Sequence, residues 1–305
     1  MTRFEVTVLG SGAAIPTLER GATSHYVNCN ERHILIDCGE GTQLQMRKFK
    51  VRLQKISHIC ISHLHGDHFF GLVGYLSTLQ LLGRNEGLTI YGPEGLEQII
   101  KQQLEIGGAH LNFNIKFVIT NPKESELLFE DKLIELHSIP LKHKVPTTGF
   151  LIKEKPKERN LIKEEFDKTG LSVAYISKLR QGKDVEKEDG SIVRAKDVTL
   201  PPKRTRSYAF CSDTAYKEDI IPLIKGVDLL YHEATFTKDK IERAKATKHS
   251  TAEQAATIAK MAEVRKLIIG HLSARYKTVE KHTEEAQAIF EKTQVVNDGD
   301  HFFIY

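Results

Sequence analysis

The stretch Ser62-His63-Leu64-His65-Gly66-Asp67-His68, directly after the apolar run Ile56 to Ile61, decides how this chain is read. Four potential metal ligands stand between positions 63 and 68, on the turn that follows a strand. Imidazole nitrogen and carboxylate oxygen suit zinc, and one rigid strand end can aim all four at a common point. Gly66 is expected to let the backbone fold tightly enough for Asp67 and His68 to turn back toward His63 and His65. Four side chains do not close two metal sites, so further ligands must come from other strand ends. His143 comes soon after the run ending at Ile139, Asp213 after Tyr208 to Ser212, and His271 after Leu267 to Gly270. Each has a plainer reading when taken alone: His143 within the surface patch Lys142-His143-Lys144, Asp213 as a turn or cap residue, His271 as a cap.

The rest of the chain fits an ordinary globular protein. Its 305 residues hold 44 Lys+Arg against 40 Asp+Glu, 40% hydrophobic and 28% charged residues, a balance that excludes disordered and fibrous classes and allows a full core. No run approaches the roughly 18 apolar residues of a membrane span, and Met1 to Leu9 alternates like a strand, so the expected location is cytoplasmic. Cys29, Cys38, Cys60 and Cys211 form no CxxC pair, so a transition metal would have to be held by the 14 histidines. Strand patterns recur at 4–9, 33–37, 58–62, 88–91, 115–119, 132–139, 149–152, 207–212, 229–232, 266–270 and 301–305. Helix patterns lie at 71–82, 95–103, 220–224, 251–261 and 283–290, and Ser250 or Thr251 followed by an acid or amide three residues on marks a capped start.

One segment differs. Lys153 to Arg206 carries 15 Lys/Arg and 10 Asp/Glu, a net of +5, which leaves about −1 for the remainder of a +4 chain. In its middle, Asn160 to Gly190, apolar residues have helix-like spacing but look too sparse for a core. It reads either as a solvated insertion or as an arm that touches polyanionic nucleic acid by neutralising phosphates.

The order and flanks of these pieces resemble the metallo-β-lactamase superfamily, whose HxHxDH signature is matched at His63, His65, Asp67 and His68. Within it the chain resembles the tRNase Z family over nearly its whole length. The similarity runs through Leu9-Gly10-Ser11-Gly12, Ile36-Asp37-Cys38-Gly39-Glu40-Gly41-Thr42, Tyr91-Gly92-Pro93, Ser212-Asp213-Thr214, His232-Glu233-Ala234-Thr235-Phe236, His249-Ser250-Thr251 and His271-Leu272-Ser273-Ala274-Arg275-Tyr276. The resemblance implies an α/β fold, an αβ/βα sandwich spanning 1–305 with a flexible arm at 153–206 that grips the tRNA elbow. It also implies two zinc ions per subunit, with His63, His65 and His143 on the first, Asp67, His68 and His271 on the second, and Asp213 bridging. Such a pair makes hydroxide available at neutral pH and binds a nonbridging phosphate oxygen. Asp67 would be general base and orienter, His249 would protonate the departing ribose oxygen, and Glu233 would hold that imidazole charged.

The implied activity is removal of the 3′ trailer from precursor tRNA, leaving a 3′-hydroxyl on the tRNA and a 5′-phosphate on the trailer. The family also implies a homodimer. Arg20, in the loop Ile15 to Ser24, would approach the RNA end, although Gly21 stands where Asn is common; the arm segment Thr169 to Val173 lacks the usual Gly-Pro. Arg275 and Tyr276 would contact substrate beside His271, with packing the alternative for Tyr276. Three other readings stand beside this one: a superfamily hydrolase of a small ester, thioester or lactone, a nucleic-acid-binding protein without catalysis, and a purely structural role for the metals. The first leaves the +5 arm unexplained, the second calls for a lost ligand and none is missing, and the third conflicts with an open hydroxide position.

Overall fold

The computed structural model describes residues 3–15 and 17–305; Met1 and Thr2 of the expected first strand and Pro16 of the loop 15–24 lie outside the described residues. Two compact units are present. One is built from the chain up to Lys153 and from Arg206 onward, the other from Glu154–Thr205.

The larger unit is organised on two seven-stranded sheets. The first runs, in spatial order, His301–Phe303, Phe4–Gly10, Ser24–Cys29, Arg32–Ile36, Ile56–Cys60, Leu88–Gly92 and Ile115–Ile119. The second runs Thr293–Val295, Leu267–Gly270, Leu229–Glu233, Ser207–Cys211, Thr148–Glu154, Ile134–Pro140 and Leu127–Glu130. The last four strands of the first sheet are mutually parallel, as are the first four of the second. Parallel sheets must be covered on both faces, so their strands are apolar at consecutive positions. Ile34 and Ile36 point into the layer between the sheets, and Leu35 points to the outer layer. In the second sheet Ile268 faces inward, while Leu267 and Ile269 face outward. Helices Leu72–Leu81 and Leu96–Ile106 close the outer face of the first sheet; Ala252–Met261 and Ile221–Ile224 close that of the second. This is the αβ/βα layering expected from the motifs.

Some elements depart from the sequence expectation. The strand Ser24–Cys29 escaped notice because Ser24, His25 and Asn28 break its apolar pattern; all are buried, with His25 Nδ1 2.7 Å from the Tyr208 hydroxyl and Asn28 donating to Glu5. The helix expected at 283–290 is Glu280–Gln287, because Ile289 and Phe290 leave the helix and fold onto the core. Thr42–Lys48 and Ile241–Thr247 are helices that no clear periodicity announced.

The smaller unit corrects one expectation. Phe166, Leu179, Val185, Ala195 and Val198 are buried together, so this basic segment has a core of its own. Its members come from separate short pieces, including the strand pairs Asn160–Leu161 with Thr199–Leu200 and Val185–Glu186 with Ile192–Val193. No single window of sequence shows such a core. Among the described residues, no helix is long and apolar enough to cross a membrane.

Candidate active site

The site residues emerge at the carboxyl ends of strands. Asp37 follows Arg32–Ile36, the His63 to His68 turn follows Ile56–Cys60, and His143 follows Ile134–Pro140. Asp213 follows Ser207–Cys211, Glu233 ends Leu229–Glu233, and His271 follows Leu267–Gly270. Open α/β sheets present their ligands at these ends. Asp37, Asp213 and His271 each turn the chain with a left-handed backbone, at φ 56°, 55° and 58°. For residues other than glycine that conformation costs on the order of 1 kcal/mol or more, and it persists where the surroundings hold it in place. Gly66 serves differently from the expectation: its φ is not positive, and a Cβ there would lie 2.2 Å from the Phe70 ring, so close packing requires the glycine.

Two groups of ligand atoms converge. His63 Nε2 is 3.0 Å from His65 Nδ1, which is 3.2 Å from His143 Nε2; Asp213 Oδ2 stands 3.5 and 3.6 Å from His63 Nε2 and His143 Nε2. In the second group His68 Nε2 and His271 Nε2 lie 3.3 and 3.6 Å from Asp67 Oδ2, and 3.2 and 3.0 Å from Asp213 Oδ1. The two oxygens of Asp213 are thus divided between the groups. Donors around a tetrahedral zinc with bonds of 2.0–2.1 Å are about 3.3 Å apart, which these separations match. The Nε2 atoms of His68 and His271 are buried without a hydrogen-bond partner. A buried polar atom left so is costly unless something fills the gap, so the residues fit two metal ions.

The other nitrogen of each of four imidazoles is already oriented. His68 Nδ1 donates to Asp37 at 2.6 Å, and His143 Nδ1 to the Lys248 carbonyl at 2.9 Å. His271 Nδ1 donates to the Thr235 hydroxyl at 2.8 Å, and His63 Nδ1 to that of Ser62 at 3.0 Å. These partners fix the tautomers that leave Nε2 for a metal. Asp37 also accepts from Ser62 N and Oγ. Neither Asp37 nor Thr235 was assigned a role from sequence, although Asp37 occupies the same place after a strand as the ligands do.

Glu233, fully buried, pairs with the partly exposed His249, whose Nδ1 is 2.8 Å from Glu233 Oε1. Thr214 N, Thr235 N and Thr235 Oγ1 donate to the same carboxylate. Burial alone would lower the pKa of His249, but Glu233 holds it up to about 9. Burial likewise opposes ionisation of Asp67, yet His68 and His271 hold its carboxyl well below the usual range. His63 is held neutral by burial. His232 is not part of the cluster: it is fully buried, with Nδ1 2.7 Å from the Glu233 carbonyl.

A cavity of about 450 Å³ opens over the cluster, with His65, Asp67, His143, Asp213, His249 and His271 in its lining. Ala13, Ala14 and Ile15 form part of its wall, and Lys144, Arg243 and Arg275 bring positive charge to it. Arg275 bonds Ser273 and lies 5.1 Å from the Phe236 ring centroid. Arg243 and Lys144 were not singled out from sequence, since a lone cation on a short helix or in a basic patch carries no spacing signal. Arg20 is not brought to this cavity. Its guanidinium donates to Ser11 Oγ, the Val296 carbonyl and Asn297 Oδ1 at 2.6–2.7 Å, which ties it to the protein instead. Tyr276 takes the packing alternative, its hydroxyl within 3.1 Å of Thr237 N and Oγ1.

Residues 4–159 match the family model described as Anti-Pycsar protein Apyc1. That segment holds His63 to His143 but neither Asp213 nor the Glu233 and His249 pair. Full-length relatives cover these too. The chain is 44% identical over 299 residues to a ribonuclease Z of Parabacteroides distasonis, covering 98% of both chains. It is 42% identical to that of Bacteroides thetaiotaomicron, covering 98% of this chain and 95% of the relative. Among solved structures it resembles the short form of human tRNase Z, with a TM-score of 0.72, 28% identity and 99% of each chain covered. A metallo-β-lactamase fold protein from Bacillus subtilis shares the fold at a TM-score of 0.69 and 19% identity, over 99% of both chains. With motifs, sheet-edge geometry and full-length identity in agreement, the chain belongs to the ribonuclease Z family, on a metallo-β-lactamase fold.

Proposed function

We propose that this protein is a zinc-dependent endoribonuclease that removes the 3′ trailer from precursor tRNA. The observation that carries the proposal is the division of Asp213 between two ligand groups beneath one cavity. His63, His65 and His143 would hold one zinc ion and Asp67, His68 and His271 the other, with Asp213 shared. Zinc, when bound there, supplies a nucleophile at neutral pH and Lewis acidity toward a nonbridging phosphate oxygen.

The chain's own groups do the rest. Asp67 orients the attacking water and accepts its hydrogen bond. His249, kept protonated by Glu233, gives its proton to the ribose 3′-oxygen as the phosphodiester opens, so the tRNA keeps a 3′-hydroxyl and the trailer a 5′-phosphate. Lys144, Arg243 and Arg275 neutralise neighbouring phosphates. A small ester needs no such ring of cations, which favours a polynucleotide substrate over that alternative.

In the segment 154–205, Arg159, Arg194 and Lys196 line a cavity of about 400 Å³, and we assign them to sequence-independent contacts with tRNA phosphates. A homodimer is supported by exposed apolar side chains. Phe70 and Leu81 are 65% and 86% exposed at the two ends of the helix Leu72–Leu81, and Leu44, 68% exposed, neighbours Gln43, which accepts from Thr78 of that helix. The composition and the absence of a spanning helix among the described residues agree with a cytoplasmic enzyme. Incubating the zinc-loaded protein with precursor tRNA tests the proposal. Specific 3′ cutting lost in Asp67→Ala is expected; a protein with bound zinc that cuts only small esters would overturn it.

A further inference from the structure

A second cluster of polar groups lies at the junction of the two sheets, apart from the ligand groups and unused by the mechanism above. Residues 296–300 connect the strand Thr293–Val295 of one sheet to His301–Phe303 of the other. At this turn Asp298 is loaded on both oxygens. Oδ1 accepts from Ser11 N at 2.9 Å and Ser11 Oγ at 2.8 Å; Oδ2 accepts from Gly21 N at 2.7 Å and Gln45 Nε2 at 2.6 Å. Four donors on one carboxylate require its ionised form and leave it little freedom. Arg20 completes the cluster by donating to the same Ser11 hydroxyl and to Val296 and Asn297 on either side of the turn's start.

What these bonds grip is the base of the segment that walls the reaction cavity. Ser11 and Gly21 stand on either side of Ala13, Ala14 and Ile15, which line the cavity beside Asp67 and His271. Gly12 N donates to Gly21 O at 3.0 Å, Ala13 N to Leu272 O at 3.1 Å, and Leu272 N to Ser11 O at 3.2 Å, so the same grip reaches the residue next to His271. Gly21 belongs to this arrangement. A Cβ there would stand 3.2 Å from Gln45 Nε2 and 3.3 Å from Asp298 Oδ2, closer than such contacts ordinarily are, and glycine leaves both groups room.

We propose that Asp298 is a positioning residue for the substrate: by clamping Ser11 and Gly21 it sets where Ala13 to Ile15 stand, and so how closely the cavity fits the RNA strand at the scissile bond. Ala13 to Ile15 carry no charge, so their effect on a long substrate is one of shape, and a small diester that does not reach the wall is indifferent to it. The inference rests on the ribonuclease reading for its substrate, while the clamp itself is testable without RNA.

The experiment compares the zinc-loaded wild type with Asp298→Asn, Arg20→Ala and the double variant. Asparagine keeps the shape of Asp298 but turns one acceptor into a donor facing other donors. Expected for Asp298→Asn is a loss of tenfold or more in kcat/KM on precursor tRNA, carried mainly by KM, with bis(p-nitrophenyl) phosphate hydrolysis within twofold of wild type. The Arg20→Ala loss should not add fully to it, because both changes release Ser11. Equal losses on both substrates would reduce Asp298 to a support of the whole fold and overturn the proposal, as would no loss on tRNA. If wild type itself fails to cut precursor tRNA, the substrate reading has failed. Hydrogen exchange then decides the clamp: faster exchange at Gly12 and Ala13 in Asp298→Asn, with 267–270 unchanged, supports it, and unchanged exchange at Gly12 and Ala13 overturns it.

Discussion

In the acid role we propose for His249, its contact with Glu233 would set the working pH range. A proton donor must be protonated to act, so a His249 held at about 9 keeps the rate up to that pH, and the rate falls as pH rises through it. Glu233→Gln removes the charge 2.8 Å away and returns the imidazole toward the ordinary value of about 6.5. At pH 8 the protonated fraction then drops by on the order of 30-fold, whereas at pH 6 it changes by less than about twofold. A pH–rate profile of the variant should show that displaced limb; a profile that keeps its wild-type shape would remove His249 from the acid role. Asp37 would act on the proposed ligand set through His68. Asp37→Asn suits the left-handed backbone at that position but weakens the bond that orients His68. Zinc retention against a competing chelator should fall about 10–100-fold. The sequence disclosed the first-contact groups, because His63 to His68 are dense and Asp213 and His271 sit after apolar strands. It did not disclose Thr235, whose hydroxyl joins Glu233 to His271, since one threonine in a turn has no spacing to stand out.

Elements were legible where one periodicity governed them. The strand Ile115–Ile119 lies where its alternation places it, and the helix Ala252–Met261 starts where its capping signal does. The Thr251 side chain accepts from Gln254 N at 3.3 Å, and Gln254 Oε1 accepts from Thr251 N at 3.0 Å. Thr251→Ala should cost about 1 kcal/mol through loss of the cap, a drop of about 2–4 °C in Tm for a unit of this size. A calorimetric scan checks it, and an unchanged Tm would mean that packing of Ala252, Ala255 and Ala256 holds the helix start by itself. Elements were hidden where tertiary partners satisfied polar side chains, as in Ser24–Cys29, or where the core was assembled from scattered pieces, as in 154–205. A buried His25 paired with Tyr208 looks polar in sequence and behaves as core in the fold.

At the scale of the whole molecule, charge is divided between a near-neutral remainder and the segment Lys153 to Arg206, of net +5. Lys153 pairs in register with Ser207, so residues 154–205 can be replaced by a short Gly-Ser turn without disturbing the sheet. Such a variant should keep bis(p-nitrophenyl) phosphate activity within about twofold. It should lose tenfold or more in kcat/KM on precursor tRNA, with a weaker dependence on salt than wild type, because fewer counterions are released. Unchanged cleavage of tRNA would contradict the electrostatic role of the segment. The fold, the shared Asp213 and the Glu233 and His249 pair all meet in a single claim, that this site opens one phosphodiester at the boundary between tRNA and trailer. End analysis of the products from a precursor tRNA incubated with zinc-loaded protein tests it most directly. The predicted result is one cut at that boundary, with a 3′-hydroxyl on the tRNA and a 5′-phosphate on the trailer, absent in Asp67→Ala; a 2′,3′-cyclic phosphate with a 5′-hydroxyl, or no cut, would contradict it.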